Sequence, residues 1–316
     1  MSAHLRLGSG GEFDRLRAIF AKLGTQGQSL GDDCALLRVE KATIALSIDI
    51  SVENVHFRLD WLTRTQIGYR AAVASLSDLA AEGARAAGLL VSLAMPLESP
   101  PEHAAELMEG VGNAAAQAGA KVLGGDLSQA PILIVDVCAV GTAPRPVRRR
   151  GAEVGDGLWV TGRLGAMELA LRELRAGRKP EPSLLARFAG PEPRLQAGQW
   201  LASQGARAMI DLSDGISADS RHLAAASGVA LEISLDRLPC WPGAAPLIAA
   251  SSGEEYELLV AMPPAFGETQ AQAFSGLVGT QLARIGACVD GPGGSVRFTE
   301  RGVEVAAPAG YDHFTA

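Results

Sequence analysis

Apolar residues run along this chain in two rhythms. Over residues 12–23 the spacing is helical: Phe13, Leu16, Ile19, Phe20 and Leu23 share one face, and Gly24 supplies the stop. The same rhythm predicts helices over 65–81, 102–118, 166–176, 193–204, 216–227 and 266–275. Shorter apolar runs alternate with them. They predict strands over 34–39, 43–48, 89–95, 121–123, 132–140, 158–161, 206–210, 229–233, 256–262 and 282–287, and a closing hairpin over 295–298 and 302–305. Strand and helix alternate through both halves, so the fold class is α/β, shading into α+β.

Composition adds little that the pattern has not said. With 316 residues, 47% of them hydrophobic, the chain can bury a large core and make two domains. The sharpest break is 142–151, which holds Pro144, Pro146 and four arginines. It divides the chain into 1–145 and 146–316. Charge changes the picture more. A net charge of −7 argues against a nucleic-acid partner, which would need a basic face. It also means that a phosphate substrate would need divalent cations between itself and the protein's carboxylates. Cys34, Cys138, Cys240 and Cys288 show no C-x-x-C spacing, so they read as small core residues in a reducing, cytoplasmic compartment. Residues 1–11 carry no apolar signal core, and no run reaches membrane-spanning length.

The chemistry concentrates in one repeated design, an apolar element followed by a small residue and an acid. It occurs at Gly31-Asp32-Asp33, after a loop with Gly27 and Ser29, and again at Ser47-Ile48-Asp49, Leu76-Ser77-Asp78 and Gly124-Gly125-Asp126. It returns at Asp211-Leu212-Ser213-Asp214-Gly215 and Gly253-Glu254-Glu255. One such turn is ordinary cap or turn chemistry. Six are more than turns require, and gathered carboxylates raise one another's pKa unless cations compensate. The pattern therefore predicts a metal–phosphate site around Asp49, which is expected at the mouth of its strand, with a short loop presenting His56 between Val55 and Phe57.

Three other features have two readings each. Arg148-Arg149-Arg150 is either a clamp on phosphate or a solvated linker face. His56 is either a ligand donor or a satisfied structural histidine. Gly162-Arg163-Leu164-Gly165 either cradles phosphate at a helix start or packs strand against helix. P-loop, nucleophile-elbow and zinc-protease motifs are missing from the sequence, so any use of ATP is without a P-loop.

Taken in order, these turns resemble the thiamine-monophosphate kinases, a family of the aminoimidazole ribonucleotide synthetase superfamily. Also matching are Gly11-Glu12-Phe13, Val55-His56-Phe57, Leu79-Ala80-Ala81, Arg149 with Gly151-Ala152 and Gly155-Asp156, Val160-Thr161-Gly162, Tyr256-Glu257-Leu258 and Gly310-Tyr311-Asp312-His313-Phe314. The resemblance implies ATP-dependent phosphorylation of thiamine monophosphate to thiamine diphosphate with several Mg²⁺ ions. It implies an N-terminal sheet-plus-helices domain that pairs into a homodimer and a C-terminal α/β domain, with ATP between the domains or near the dimer interface. By position, Asp33, Ser47, Ile48, Asp49, Asp78, Asp126, Asp211 and Asp214 resemble the metal ligands, with Asp49, Asp78 and Asp126 closest to catalysis. Gly125, Asp126, Arg149 and Ser213 resemble the ATP contacts. His56, Glu254 and Tyr311 resemble the substrate contacts.

The sequence departs from the family at Ile48, Arg150, Leu127-Ser128-Gln129, Glu255 and Tyr311. The side chain of Ile48 cannot coordinate a metal, so a ligand there has to be its carbonyl oxygen. Other ATP-using members of the superfamily remain an alternative. A selenophosphate synthetase should have a reactive residue before Cys34, and a hydrogenase-maturation factor should end in a cysteine; this chain ends His313-Phe314-Thr315-Ala316. A non-catalytic nucleotide-binding protein would have lost several carboxylates that are present here.

Overall fold

The structure, a computed structural model, describes residues 6–8, 10–27, 30–308, 310, 311 and 314. The expectations at Ser29, Asp312, His313 and the last two residues lie outside the described residues. The chain opens with α1 (Gly11–Leu23) and then builds a first sheet from β1 (Ala35–Val39), β2 (Ala42–Val52), β3 (Arg85–Met95), β4 (Lys121–Gln129) and β5 (Ile134–Thr142), ordered β1-β2-β5-β3-β4. Two helices belong to this half, α2 (Arg64–Ala81) and α3 (Pro101–Gln117).

The second sheet holds β6 (Gly157–Thr161), β7 (Ala208–Asp211), β8 (Ala230–Ser234), β9 (Leu258–Met262), β10 (Leu282–Val289), β11 (Val296–Glu300) and β12 (Val303–Val305). Its order is β12-β11-β8-β10-β6-β9-β7. Its helices are α4 (Ala166–Arg175), α5 (Pro182–Ala189), α6 (Leu195–Ser203), α7 (Ile216–Ser227), α8 (Pro246–Ser251) and α9 (Glu268–Val278). The pairs β3–β4 and β8–β11 are parallel and the others antiparallel, so this is a mixed α/β chain with two sheets. Among the described residues no helix is long and apolar enough to cross a membrane.

Helix α2 sits between the two halves. Its start is set locally by a capping box: Gln66 N donates to Thr63 Oγ1 at 3.2 Å, and Thr63 N donates to Gln66 Oε1 at 2.9 Å. Its buried face runs from Ile67 through Ala71, Val73, Leu76 and Leu79 to Ala80. Glycines let its neighbours come close. A Cβ on Gly68 would lie 1.9 Å from Leu107 O of α3, one on Gly110 the same distance from Thr65 O, and one on Gly198 of α6 the same distance from Ala80 O.

Two sequence expectations about strands need correction. The strand through Asp49 does not stop at Ile48 but continues to Val52, so Asp49 is in mid-strand opposite Val137. Ala45 and Ser47 face inward, whereas Ile48 (68% exposed) and Ile50 face outward. The apolar run 43–48 therefore covers two different environments, one on each face of the sheet. Likewise Gly124-Gly125-Asp126 is not a turn after a short strand; it lies within β4, an edge strand exposed along its whole length. Glycine is needed there because a Cβ on Gly125 would lie 1.8 Å from Val91 O of β3. Helices α5 and α8 are the elements that the pattern missed. Each begins with a proline in its first turn, which marks a helix start as readily as a loop.

Candidate active site

The inner face of β2, the last turns of α2 and the end of β7 meet in a buried carboxylate cluster. Asp33, Asp78 and Asp211 each offer an oxygen within 4.8 Å of the others. Parity within β2 puts Ser47 and Asp49 on the side facing α2. Ser47 Oγ donates to Asp78 Oδ2, and lies 3.4 Å from Asp49 Oδ2. Across the seam, Ser77 Oγ donates to Asp211 Oδ2 at 2.7 Å. Consecutive residues of α2 thus address both halves of the chain.

Burial and crowding show in the acidities. Desolvation, and then the charges of Asp49, Asp211 and Asp33, hold the Asp78 carboxyl well above the ordinary carboxylate range. Asp49 is raised by burial, with hydrogen bonds from Ser75, Asp78 and Ser47 opposing the shift. Asp211 is pushed up to about 7 by burial and by Asp33. Arg149 supplies the compensating charge. Its Nη2 donates to Asp33 Oδ1 at 2.8 Å and its backbone N to Asp32 Oδ1 at 2.9 Å. Burial works against the guanidinium charge, but Asp33, Asp78 and Asp211 outweigh it and hold its pKa above the usual arginine value. Of the other two arginines, Arg148 stands 3.8 Å from Asp32, and Arg150 is exposed.

The donor set is all carboxylate and hydroxyl oxygen, and Asp33 Oδ2 is buried without a hydrogen-bond partner. That suits a hard divalent cation of the Mg²⁺ kind, which would relieve both the mutual repulsion and the orphaned oxygen.

Three of the expected ligands are placed elsewhere. The side chain of Ile48 is on the opposite face from Ser47 and Asp49, so only its main chain is available toward a metal. Asp126 aligns with Ser92, Asp136 and Ile50 across the sheet, a row of the outer face. Asp126 therefore does not join the cluster within one protomer, whereas Gly125 aligns with Val91, Val137 and Asp49 in the inner row. Asp214, after β7, joins Asp219 and His222 in a separate group. There Asp214 N donates to Asp219 Oδ2 at 3.2 Å. Burial, then Asp214 and Asp211, push Asp219 well up, whereas burial, then Arg149 and Arg221, lower His222 to about 3.

The expected substrate contacts divide between two hollows. His56 and Glu254 line a narrow cleft with Ser51, Arg70 and Tyr256, and His56 Nδ1 accepts from Val52 N at 3.0 Å. Tyr311 lines a second cavity of about 190 Å³ with Phe13, Asp214, Arg221 and His222. The turn at Ser213 joins the two: Glu254 N donates to Ser213 O at 2.7 Å, and Tyr311 N to Asp214 O at 3.1 Å. Arg70, Asp219 and Glu82 stand outside every motif of the sequence, and Ser77 and Asp32 enter only as neighbours of Asp78 and Asp33. Ser77 is open to inference, since it precedes Asp78 in Leu76-Ser77-Asp78. Arg70 is not, because its partners lie far away in the chain.

Two sheets docked on one helix around a buried carboxylate cluster, with no P-loop in the sequence, are the frame of the AIR synthase related class, and the family models agree. The family model for the AIR synthase related protein N-terminal domain matches residues 31–143, and that for the C-terminal domain matches 153–299. Thiamine-monophosphate kinase of Mycobacterium tuberculosis is 35% identical over 288 residues, 90% of this chain and 85% of the relative. Among solved structures, AaThiL complexed with AMPPCP and TMP has a TM-score of 0.85 at 28% identity, over 96% of this chain and 97% of that one. Thiamine monophosphate kinase from Aquifex aeolicus has a TM-score of 0.79 at 27% identity, over 93% and 98%. The chain belongs to the thiamine-monophosphate kinase family.

Proposed function

We propose that this chain transfers the γ-phosphoryl group of ATP to the phosphate of thiamine monophosphate, giving thiamine diphosphate and ADP. The observation that carries this is the buried Asp33–Asp78–Asp211 cluster at the seam of the two halves, in a chain so similar to these kinases. A phosphate oxygen of the acceptor forms the new bond to phosphorus as the bond to the ADP oxygen breaks. That oxygen is already anionic near neutral pH, so the site needs no general base and forms no phosphoenzyme. Mg²⁺ bound by the carboxylates would neutralise phosphate oxygens and align them for in-line transfer.

The protein's own residues supply position and charge. Asp33, Asp49, Asp78 and Asp211, with Ser47 Oγ and the Ile48 carbonyl oxygen, form the principal metal cradle, and Asp214 a further point of attachment. Arg149 exchanges part of its hold on Asp33 for nucleotide phosphate, and Ser213 contacts the same ligand. His56 and Glu254 take the acceptor in the cleft, and Tyr311 offers an aromatic face.

Asp126 acts from the outer sheet face, and Gly125, one residue before it on β4, offers its backbone to the nucleotide. Ile48, Ile50, Leu90, Leu123 and Leu127, all exposed, belong to the same five-stranded sheet. So much exposed apolar surface on one sheet favours a homodimer paired through it, with the nucleotide site beside that interface. The four cysteines are free thiols, which supports a cytoplasmic enzyme.

The direct test is purified protein with ATP, Mg²⁺ and thiamine monophosphate, scored for thiamine diphosphate and ADP. If ATP binds, no thiamine diphosphate forms and another acceptor is phosphorylated, the assignment fails. Asp49→Asn is expected to lower kcat by about 10²-fold or more with the fold intact. Turnover like that of the wild type would remove Asp49 from the site.

A further inference from the structure

Arg70 is an arginine buried at the seam (6% exposed), on the stripe of α2 that also carries Ser77. Its Nη2 donates to Glu254 Oε2 at 2.7 Å, its Nη1 donates to Phe188 O, and its guanidinium lies over the Phe188 ring, 4.5 Å from the centroid. One side chain on the N-terminal half therefore holds the end of α5 and the loop before β9, both in the C-terminal half. Seven residues is about two helical turns, so Arg70 and Ser77 face the same way, separated by about 10 Å. Ser77 holds Asp211 at one end of this rod, and Arg70 holds Glu254 at the other.

The loop it grips is built to be gripped. Glu254 and Tyr256 have φ of 54° and 51°, left-handed values for residues other than glycine. Such conformations are costly for side-chain-bearing residues and persist only when their surroundings impose them. The neighbouring acids do so. Glu255 Oε1 accepts from Gly165 N and Ser252 Oγ, both at 2.6 Å. Glu257 accepts from Arg194 Nε at 2.7 Å, Arg187 Nη2 at 3.0 Å and Thr161 Oγ1 at 2.6 Å. With its backbone fixed, the Glu254 side chain still has to be aimed into the cleft it shares with His56, and Arg70 is the group that touches it there.

We propose that Arg70 is a positioning residue. It aims the Glu254 carboxylate into the acceptor cleft and, through α2, sets its distance from the carboxylate cluster. This deepens the kinase reading and rests on it for the identity of the acceptor. Arg70 acts on the acceptor end of the rod, so it governs thiamine monophosphate and leaves ATP alone.

The experiment compares wild type, Arg70→Met, Glu254→Gln and the double variant, with Arg70→Lys as the conservative control. Arg70→Met is expected to raise KM for thiamine monophosphate about tenfold while KM for ATP stays within about twofold. Arg70→Lys keeps the charge near Glu254 and recovers part of the loss. In the double variant, the loss is expected to be little more than that of Glu254→Gln alone. An unchanged acceptor KM in Arg70→Met, equal rises in both KM values, or an additive cycle would each overturn the proposal. Should Arg70→Met fail to fold, Arg70→Lys and Arg70→Gln carry the same comparison. If the wild type does not phosphorylate thiamine monophosphate, the kinase reading falls by itself. The Arg70–Glu254 coupling is then read from thermal unfolding of the same set: non-additive stabilities uphold the contact, and additive ones overturn it.

Discussion

Burial and Asp33 push the Asp211 carboxyl from 3.8 up to about 7. Glu82, at the end of α2, goes further: burial, then Asp32 and Asp33, push it from 4.5 up to about 9. Neither of its buried carboxyl oxygens has a hydrogen bond of normal geometry, and the Arg148 charge and the nearby Cys34 N–H only partly oppose the rise. These two carboxyls bind more protons in the folded than in the unfolded chain between about pH 4 and 9, so they contribute stability that is lost as pH rises through that window; His222, lowered to about 3, works the other way only below about pH 6.5. Protein stripped of divalent cations with a chelator is expected to lose Tm steadily from pH 5 to 9. A cation competes with the protons on Asp211, so added Mg²⁺ should raise Tm clearly near pH 8 and hardly at all near pH 5; scanning calorimetry across pH reads both trends. Glu82→Gln removes one titrating group and should stabilise by about 1–3 kcal/mol at pH 8 while flattening the Tm–pH curve. A lower Tm in that variant would mean that Glu82 is held by a partner as an anion.

Helix α2 carries the site because everything around it comes close. Gly68, Gly110 and Gly198 are the places where neighbouring backbones nearly touch it or are touched by it. Gly110→Ala would push α3 away from α2, and is expected to destabilise by about 1–3 kcal/mol in urea unfolding. Lower kcat should accompany this, because Asp78 moves with the helix. Gly112, on the same helix but with nothing within 4 Å of a built Cβ, is the control: Gly112→Ala should be neutral or stabilising. The helix itself was legible from its apolar spacing, and its motif Leu76-Ser77-Asp78 was readable as chemistry. The long edge strand β4 was not, since two adjacent glycines read as a turn until the backbone of β3 is seen to need them.

At the scale of the whole molecule, the outer face of the first sheet is the unfinished surface. Ile48 and Ile50 stand on it, and Asp126 shares its row with Ile50. On the proposed pairing through this face, Ile50→Glu is expected to give a monomer where the wild type gives a dimer in size-exclusion chromatography with light scattering. It should also lower activity, because Asp126 belongs to the same face. A dimer that survives Ile50→Glu and Ile48→Glu together would place the subunit contact elsewhere.

The sequence by itself determined the alternation of elements, the family and the identity of the acidic turns. These are local properties: apolar period, glycine before acid, order along the chain. Only the tertiary structure decided which acids share a space. Asp33, Asp78 and Asp211 meet because the bend before β1, helix α2 and the end of β7 converge at one seam, whereas Asp126 is turned away by strand register. It also decided that Arg149 is the arginine that faces the cluster and that Arg70 holds Glu254 from 184 positions away. No local pattern encodes a contact at that separation; it exists only once both halves have folded and docked along α2.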